Sequence, residues 1–150
     1  VIRTDSEPPA AAVEEDPLAE RLLLQAVLFE PALAGRLAEE WPPERFRGGG
    51  TRALAGALLS LGARREDWSA AELAGLLPEP AHGALLAALL AEGEGKADFG
   101  KQFTDCLEGL TREVRVREAK ERIRQAIERG DEEERREWER ELFRLQRRAR

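Results

Sequence analysis

Only 12 of the 150 residues are β-branched: five Val, three Ile and four Thr. Sheets draw on β-branched and aromatic side chains to fill their pleated faces, and aromatics add only 5%. Ala, Leu, Glu and Arg (24, 22, 24 and 21 residues) dominate instead, and all four suit helices. The chain is therefore read as all-α. Its 42% apolar content is enough for a sizeable core, and its length fits one domain, with or without an appendage.

Composition excludes much chemistry. One cysteine, Cys106, forms no internal disulfide, and with one histidine, His82, it offers at most a two-member soft-ligand set where structural zinc takes four. Neither Ser60 nor Ser69 has a His/Asp set at hand, and Gly48-Gly49-Gly50 lacks the Lys-Ser/Thr that completes a phosphate loop. His82 reads as an ordinary helix residue and Cys106 as a small buried hydrophobe. No catalytic residue, metal, cofactor or small-molecule substrate is expected in this chain. No apolar run approaches the ~20 residues of a membrane span, and no signal segment opens the sequence, so a soluble cytoplasmic protein is expected. The first residue is Val rather than Met, which suggests a piece of something longer. The absence of Met and Asn, with 21 Arg to 3 Lys, is compatible with a thermophile, although a GC-rich genome gives a similar bias.

Proline, glycine and capping residues divide the chain. Residues 1–15 carry prolines and acids without apolar period and read as a flexible linker. Asp16-Pro17 reads as a helix start, Asp as N-cap and Pro at the first helical position. Leu18, Leu22, Ala26 and Phe29 then form a stripe widened by Leu23, Leu24 and Leu28, the pattern of a central buried helix. Glu30-Pro31 opens a second helix bearing Leu33, Leu37 and Trp41. Pro42-Pro43 stops it, and Phe46 follows as an anchor. Gly48 to Gly50 reads as a loop, with Thr51 capping a helix of Leu54, Leu58 and Leu61. Ser69 and Glu72 have capping-box spacing, Pro78 and Pro80 end that short helix, and Pro80 opens another carrying Leu85, Leu86, Leu89 and Leu90.

From Phe99 the texture changes. Residues 99–129 hold no proline and two glycines, Gly100 and Gly109, where a long helix could loosen. Its apolar stripe is Phe99, Phe103, Leu107, Leu110 and Val114, with weaker beats at Val116, Ala119, Ile123 and Ile127. Gly130 terminates it, and Asp131 caps a last helix with Trp138, Leu142, Leu145 and Ala149 on one face. Folding back at Gly130 and Asp131 gives an antiparallel hairpin in which Ile127 meets Glu134, Ile123 meets Trp138, Ala119 meets Leu142 and Val116 meets Leu145. The expected organisation is a linker (1–15), a bundle of short helices (16–111) and a hairpin (112–150) sharing the long helix 99–129 with the bundle. A two-helix arm with so few apolar layers suits gripping another protein.

Charge is segregated: residues 1–98 carry 9 basic and 17 acidic side chains, residues 99–150 carry 15 and 13. The last eleven hold five Arg against one Glu, which would suit a weak contact with DNA or an acidic protein patch. The same arginines equally suit a helix C-terminus and i,i+4 pairing, the reading favoured here. Phe143 lies about 100° from Leu142 on a helix of 3.6 residues per turn. It is either absorbed by a widened seam or exposed beside Arg140, Arg144 and Arg147, the composition of an interface hot spot. Trp138, Leu142, Phe143 and Leu145 with these three arginines are the candidate partner-binding residues, and Gly130 and Asp131 the candidate turn.

The order and spacing of several segments resemble the C-terminal helicase-interacting domain of bacterial DNA primase (DnaG type). They are Glu20-Arg-Leu-Leu-Leu24, Pro31 with Leu33 and Leu37, Phe46 after Trp41-Pro-Pro43, Thr51-Arg-Ala-Leu54, and Phe103-Thr-Asp-Cys-Leu107 leading into the charged hairpin. The resemblance covers roughly 17–150. It implies a helical bundle plus hairpin that docks primase on the N-terminal domains of the hexameric DnaB-type helicase at the replication fork. Primer synthesis, with its zinc and magnesium, would belong to other domains of that nucleotidyltransferase. The first part is also similar to the N-terminal domain of the replicative helicase itself, which often has a His where residues 48–51 are glycine-rich. A direct nucleic-acid-binding module using the C-terminal arginines, and a self-associating helix bundle, are the competing classes.

Overall fold

The computed structural model describes residues 16–62 and 69–148. The linker expectation for 1–15 and the last beat of the final stripe, Ala149, lie outside the described residues. Seven α-helices and no strand occur among them: α1 Leu18–Phe29, α2 Ala34–Glu40, α3 Gly49–Gly62, α4 Ala70–Leu76, α5 Pro80–Gly93, α6 Phe99–Arg129 and α7 Glu132–Arg148. Short 3-10 turns at Pro31–Leu33 and Pro43–Arg45 precede α2 and α3. The all-α expectation therefore holds. None of these helices is long and apolar enough to cross a membrane.

The described residues form two compact units, divided between Cys106 and Leu107. In the first, α1 is buried on most sides through Leu23, Leu24, Ala26, Val27 and Leu28, while α3 contributes Leu54, Ala55, Leu58 and Leu61. Phe46 is fully buried and Trp41 nearly so, which makes both anchors of the α2–α3 connection. Each such side chain contributes about 1.5–3 kcal/mol by leaving water. Ser69 and Glu72 form a capping box: Ser69 Oγ accepts the Glu72 N–H at 3.1 Å and Glu72 Oε1 accepts the Ser69 N–H at 3.0 Å.

Two local readings are corrected. Asp16 does not cap α1, whose N-cap is Pro17 without a side-chain hydrogen bond, and Leu18 is 61% exposed rather than part of the buried stripe. Asp16 caps α3 instead, its Oδ1 accepting the N–H groups of Gly50 (3.2 Å) and Thr51 (3.4 Å). Nor is Gly48 to Gly50 a free loop with Thr51 as cap. The helix already begins at Gly49, and the buried Glu20 accepts N–H groups from Arg47 (2.8 Å) and Gly48 (3.1 Å) and the Thr51 hydroxyl (2.7 Å). Two carboxylates from the α1 segment thus satisfy donors at and before the start of α3 and complement its dipole. The glycines are what permit this approach: a Cβ on Gly48 would stand 2.0 Å from Asp16 Oδ1, and one on Gly50 2.6 Å from Asp16 Oδ2.

A buried polar joint fixes the beginning of α6. Gln25 Nε2 donates to the Leu89 carbonyl (2.9 Å), and Gln25 Oε1 accepts from Lys96 Nζ (2.7 Å) and Gln102 Nε2 (3.0 Å). Gln102 Nε2 also reaches the Leu22 carbonyl at 2.8 Å. Phe29 and Phe99 stack with ring centres 4.8 Å apart, and Arg36 lies 4.9 Å over the Phe103 ring. The α6 helix runs without interruption through Gly100 and Gly109, so neither glycine loosens it.

Within the second unit, α6 ends in a Schellman motif. Gly130 has φ +74°, its N–H donates to the Ile127 carbonyl (3.1 Å), and the Asp131 N–H donates to the Ala126 carbonyl (2.9 Å). Asp131 then caps α7, its Oδ1 accepting the Glu134 N–H at 3.1 Å. Contacts from α6 to α7 pair Arg129 with Glu134 and Arg122 with Trp138, in antiparallel order. The seam buries Ala119, Ala126 and Leu145, with Val116, Ile123, Trp138 and Leu142 half-buried. The expected register needs one correction: Ile127 is 59% exposed, and Ala126 takes the buried position near the turn. From Ala119 and Ile123, a step of three keeps the 3–4 alternation of a two-helix seam, whereas a step of four turns Ile127 outward.

Candidate protein-docking site

The seam decides which of the candidate residues face outward. Leu145 is 4% exposed and belongs to the interior of the two-helix unit, so it is withdrawn as a contact residue. Trp138 and Leu142 are half-buried, and the Arg122 guanidinium lies 5.5 Å over the Trp138 ring. Phe143 is 63% exposed, which settles its two readings: the seam does not absorb it.

The α7 helix carries a second stripe of its own. Arg136, Arg140, Phe143 and Arg147 recur at steps of four, three and four, so they share one face. At about 100° per residue that face is turned away from Trp138, Leu142 and Leu145. Arg136, Glu139, Arg140 and Phe143 line a shallow surface concavity, and the Arg147 guanidinium sits 5.7 Å from the Phe143 ring centre. Arg136 and Arg140 form no ion pair among the described residues, and the neighbouring Glu139 is held by Arg135 at 2.7 Å. Arg136 and Glu139 were missed as site residues, although their spacings of seven and four from Phe143 are visible in the sequence.

Several of the remaining arginines are committed to acids of their own helices. Arg144 pairs with Glu141, Arg124 with Glu121 and Glu128, and Arg135 with Glu132 and Glu139. Hydrogen bonds from Arg124, Arg135 and Arg144 hold the carboxyls of Glu121, Glu132 and Glu141 below the usual range. Arg144 is therefore less available to a partner than Arg140. This i,i+3 and i,i+4 lacing screens the charge of Arg124, Arg135 and Arg144, and among the described residues nothing supports the expected weak DNA contact.

Among the described residues, nothing in the first unit gathers into a reactive centre. His82 Nε2 lies 3.9 Å from Glu79 Oε1, and its Nδ1 is buried without a partner. Burial, then the neighbouring Asp105, pushes the Cys106 thiol up, away from nucleophilic character. Among the described residues no three His, Cys, Asp or Glu side chains stand close enough to hold a metal ion.

Comparison with curated proteins and with solved structures returns no match. A family model does match: DNA primase DnaG DnaB-binding, over residues 20–141. The match runs from the buried Glu20 that receives the α3 N-terminus to Glu141 within α7, and it does not favour the reading as a helicase N-terminal domain. A match of this extent, on a fold that is all-α among the described residues, means that the chain belongs to the DnaB-binding family of DnaG primase.

Proposed function

We propose that this chain recruits a bacterial DNA primase to the hexameric DnaB-type helicase, with the two-helix unit as the docking element. The observation that carries the role is the family match over residues 20–141. The observation that favours the two-helix unit is Phe143, a large aromatic left 63% exposed beside Arg140 and Arg147. Trp138 and Leu142 support this contact from the half-buried edge of the seam, and Arg144 flanks it.

The chain on this reading makes no primer. Zinc and magnesium chemistry falls to other domains of the primase, and the contribution made here is positional. Docking converts encounter of primase with newly unwound strand into an event at high local concentration. Size-exclusion chromatography with the hexameric helicase tests the assignment. The whole chain should co-elute with the ring, and a chain ending at Arg129 should not, while its first unit still unfolds cooperatively. Co-elution of the shortened chain would move the docking surface onto the first unit.

A further inference from the structure

The charge around Phe143 says what kind of surface it enters. Of the four residues lining the concavity, Arg136 and Arg140 are cationic, Phe143 is apolar, and the one acid, Glu139, is bound at 2.7 Å by Arg135; Arg147 adds a third cation beside the ring. Arg147 already leans over the Phe143 ring at 5.7 Å, so the ring and a cation present themselves together. Such a face opposes its own copy, because two of them would bring like charges together. It opposes nucleic-acid selectivity as well, since three arginines spread along one helix around an aromatic do not form a backbone-tracking groove.

We infer that the partner surface is an apolar recess rimmed by Asp and Glu side chains, into which Phe143 inserts while Arg136 and Arg140 meet the acidic rim. This rests on the proposed helicase docking and adds to it the chemistry of the contact, bringing in Arg136. The two components separate physically. Burial of Phe143 is non-directional and largely independent of salt, whereas the arginine contacts are exposed and screened within a Debye length of about 8 Å at physiological ionic strength.

The test measures affinity of the whole chain for the hexameric helicase across a salt series, with helical content checked for each variant. Phe143→Ala should weaken binding by at least about tenfold at every salt concentration, leaving the salt dependence unchanged. Arg136→Glu combined with Arg140→Glu should weaken binding strongly at low salt and reverse the slope, so that added salt now helps. Arg117→Glu, a single charge reversal at an exposed position of α6, is the control for Arg140→Glu alone and should change affinity less than about threefold, well below the loss from Arg140→Glu. Wild-type binding that is unmoved by the Phe143 and arginine changes, or that Arg117→Glu weakens as much as Arg140→Glu, overturns this inference and leaves the docking role standing. No binding by the wild-type chain overturns the docking role itself.

Discussion

The Thr51 hydroxyl donates a 2.7 Å hydrogen bond to Glu20 Oε1 inside the first unit, and neither side chain is exposed to solvent. Glu20 is therefore the acceptor for three donors near the start of α3: the Arg47 and Gly48 N–H groups and this hydroxyl. Glu20→Ala should remove all three acceptances and lower stability by about 2–4 kcal/mol. Glu20→Gln should cost less but still destabilise, because one amide N–H2 must then face a backbone donor. Urea unfolding of the two variants against wild type checks the order.

Glycine substitutions should split by what surrounds them. Gly48→Ala drives a Cβ to 2.0 Å from Asp16 Oδ1, and Gly93→Ala drives one to 2.3 Å from the Phe29 ring, so both should destabilise by about 1–3 kcal/mol. Gly56 and Gly109 lie inside α3 and α6, and nothing stands within 4 Å of the place a methyl would take. Alanine there should stabilise by about 0.5–1 kcal/mol through the unfolded chain's lost freedom. Thermal melts of the four variants read the sign directly.

The α6–α7 turn should be sensitive at both of its special residues. Gly130 holds φ +74°, so Gly130→Ala should cost about 1–2 kcal/mol. Asp131→Ala leaves the Glu134 N–H without its cap and should cost about 1 kcal/mol. Amide hydrogen exchange should show faster exchange localised to the end of α6 and the first turn of α7.

Acid should loosen the two-helix unit from its surface inward. The carboxyls of Glu121, Glu132 and Glu141 are lowered first by hydrogen bonds from Arg124, Arg135 and Arg144. Groups depressed in the folded state stabilise it fully above their unfolded values, about 4.3 for Glu, and lose that contribution as pH falls through the folded ones. Helicity should accordingly be flat from neutral pH down to about 5 and decline below about 4. High salt should blunt the change, because these pairs are solvent-screened.

Cys106 should be slow to react. Burial and Asp105 raise its thiol, so less thiolate is present near neutral pH than for a free cysteine. Alkylation by iodoacetamide at about pH 7.5 should run well behind that of a small free thiol and catch up as the pH is raised.

The sequence alone determined the helical class, the stops at its prolines, the capping box at Ser69 and Glu72, and the cap and glycine turn at Gly130 and Asp131. All of these are written in side chains within about four residues of one another, where local hydrogen bonding and backbone freedom decide the outcome. The tertiary structure decided which carboxylates serve α3, since Asp16 and Glu20 lie 27 to 35 residues from the groups they bind. Their choice depends on the approach that the glycines allow, and a local pattern credits Asp16 to the helix beside it. The same holds for the outward faces. Periodicity already puts Leu145 in the seam, but it puts Ile127 there as well and leaves Phe143 undecided; only the register of α6 against α7 buries Ala126 and leaves Ile127 and Phe143 in solvent. Local periodicity states how often apolar residues recur, whereas packing of one helix on another fixes which of them leave water.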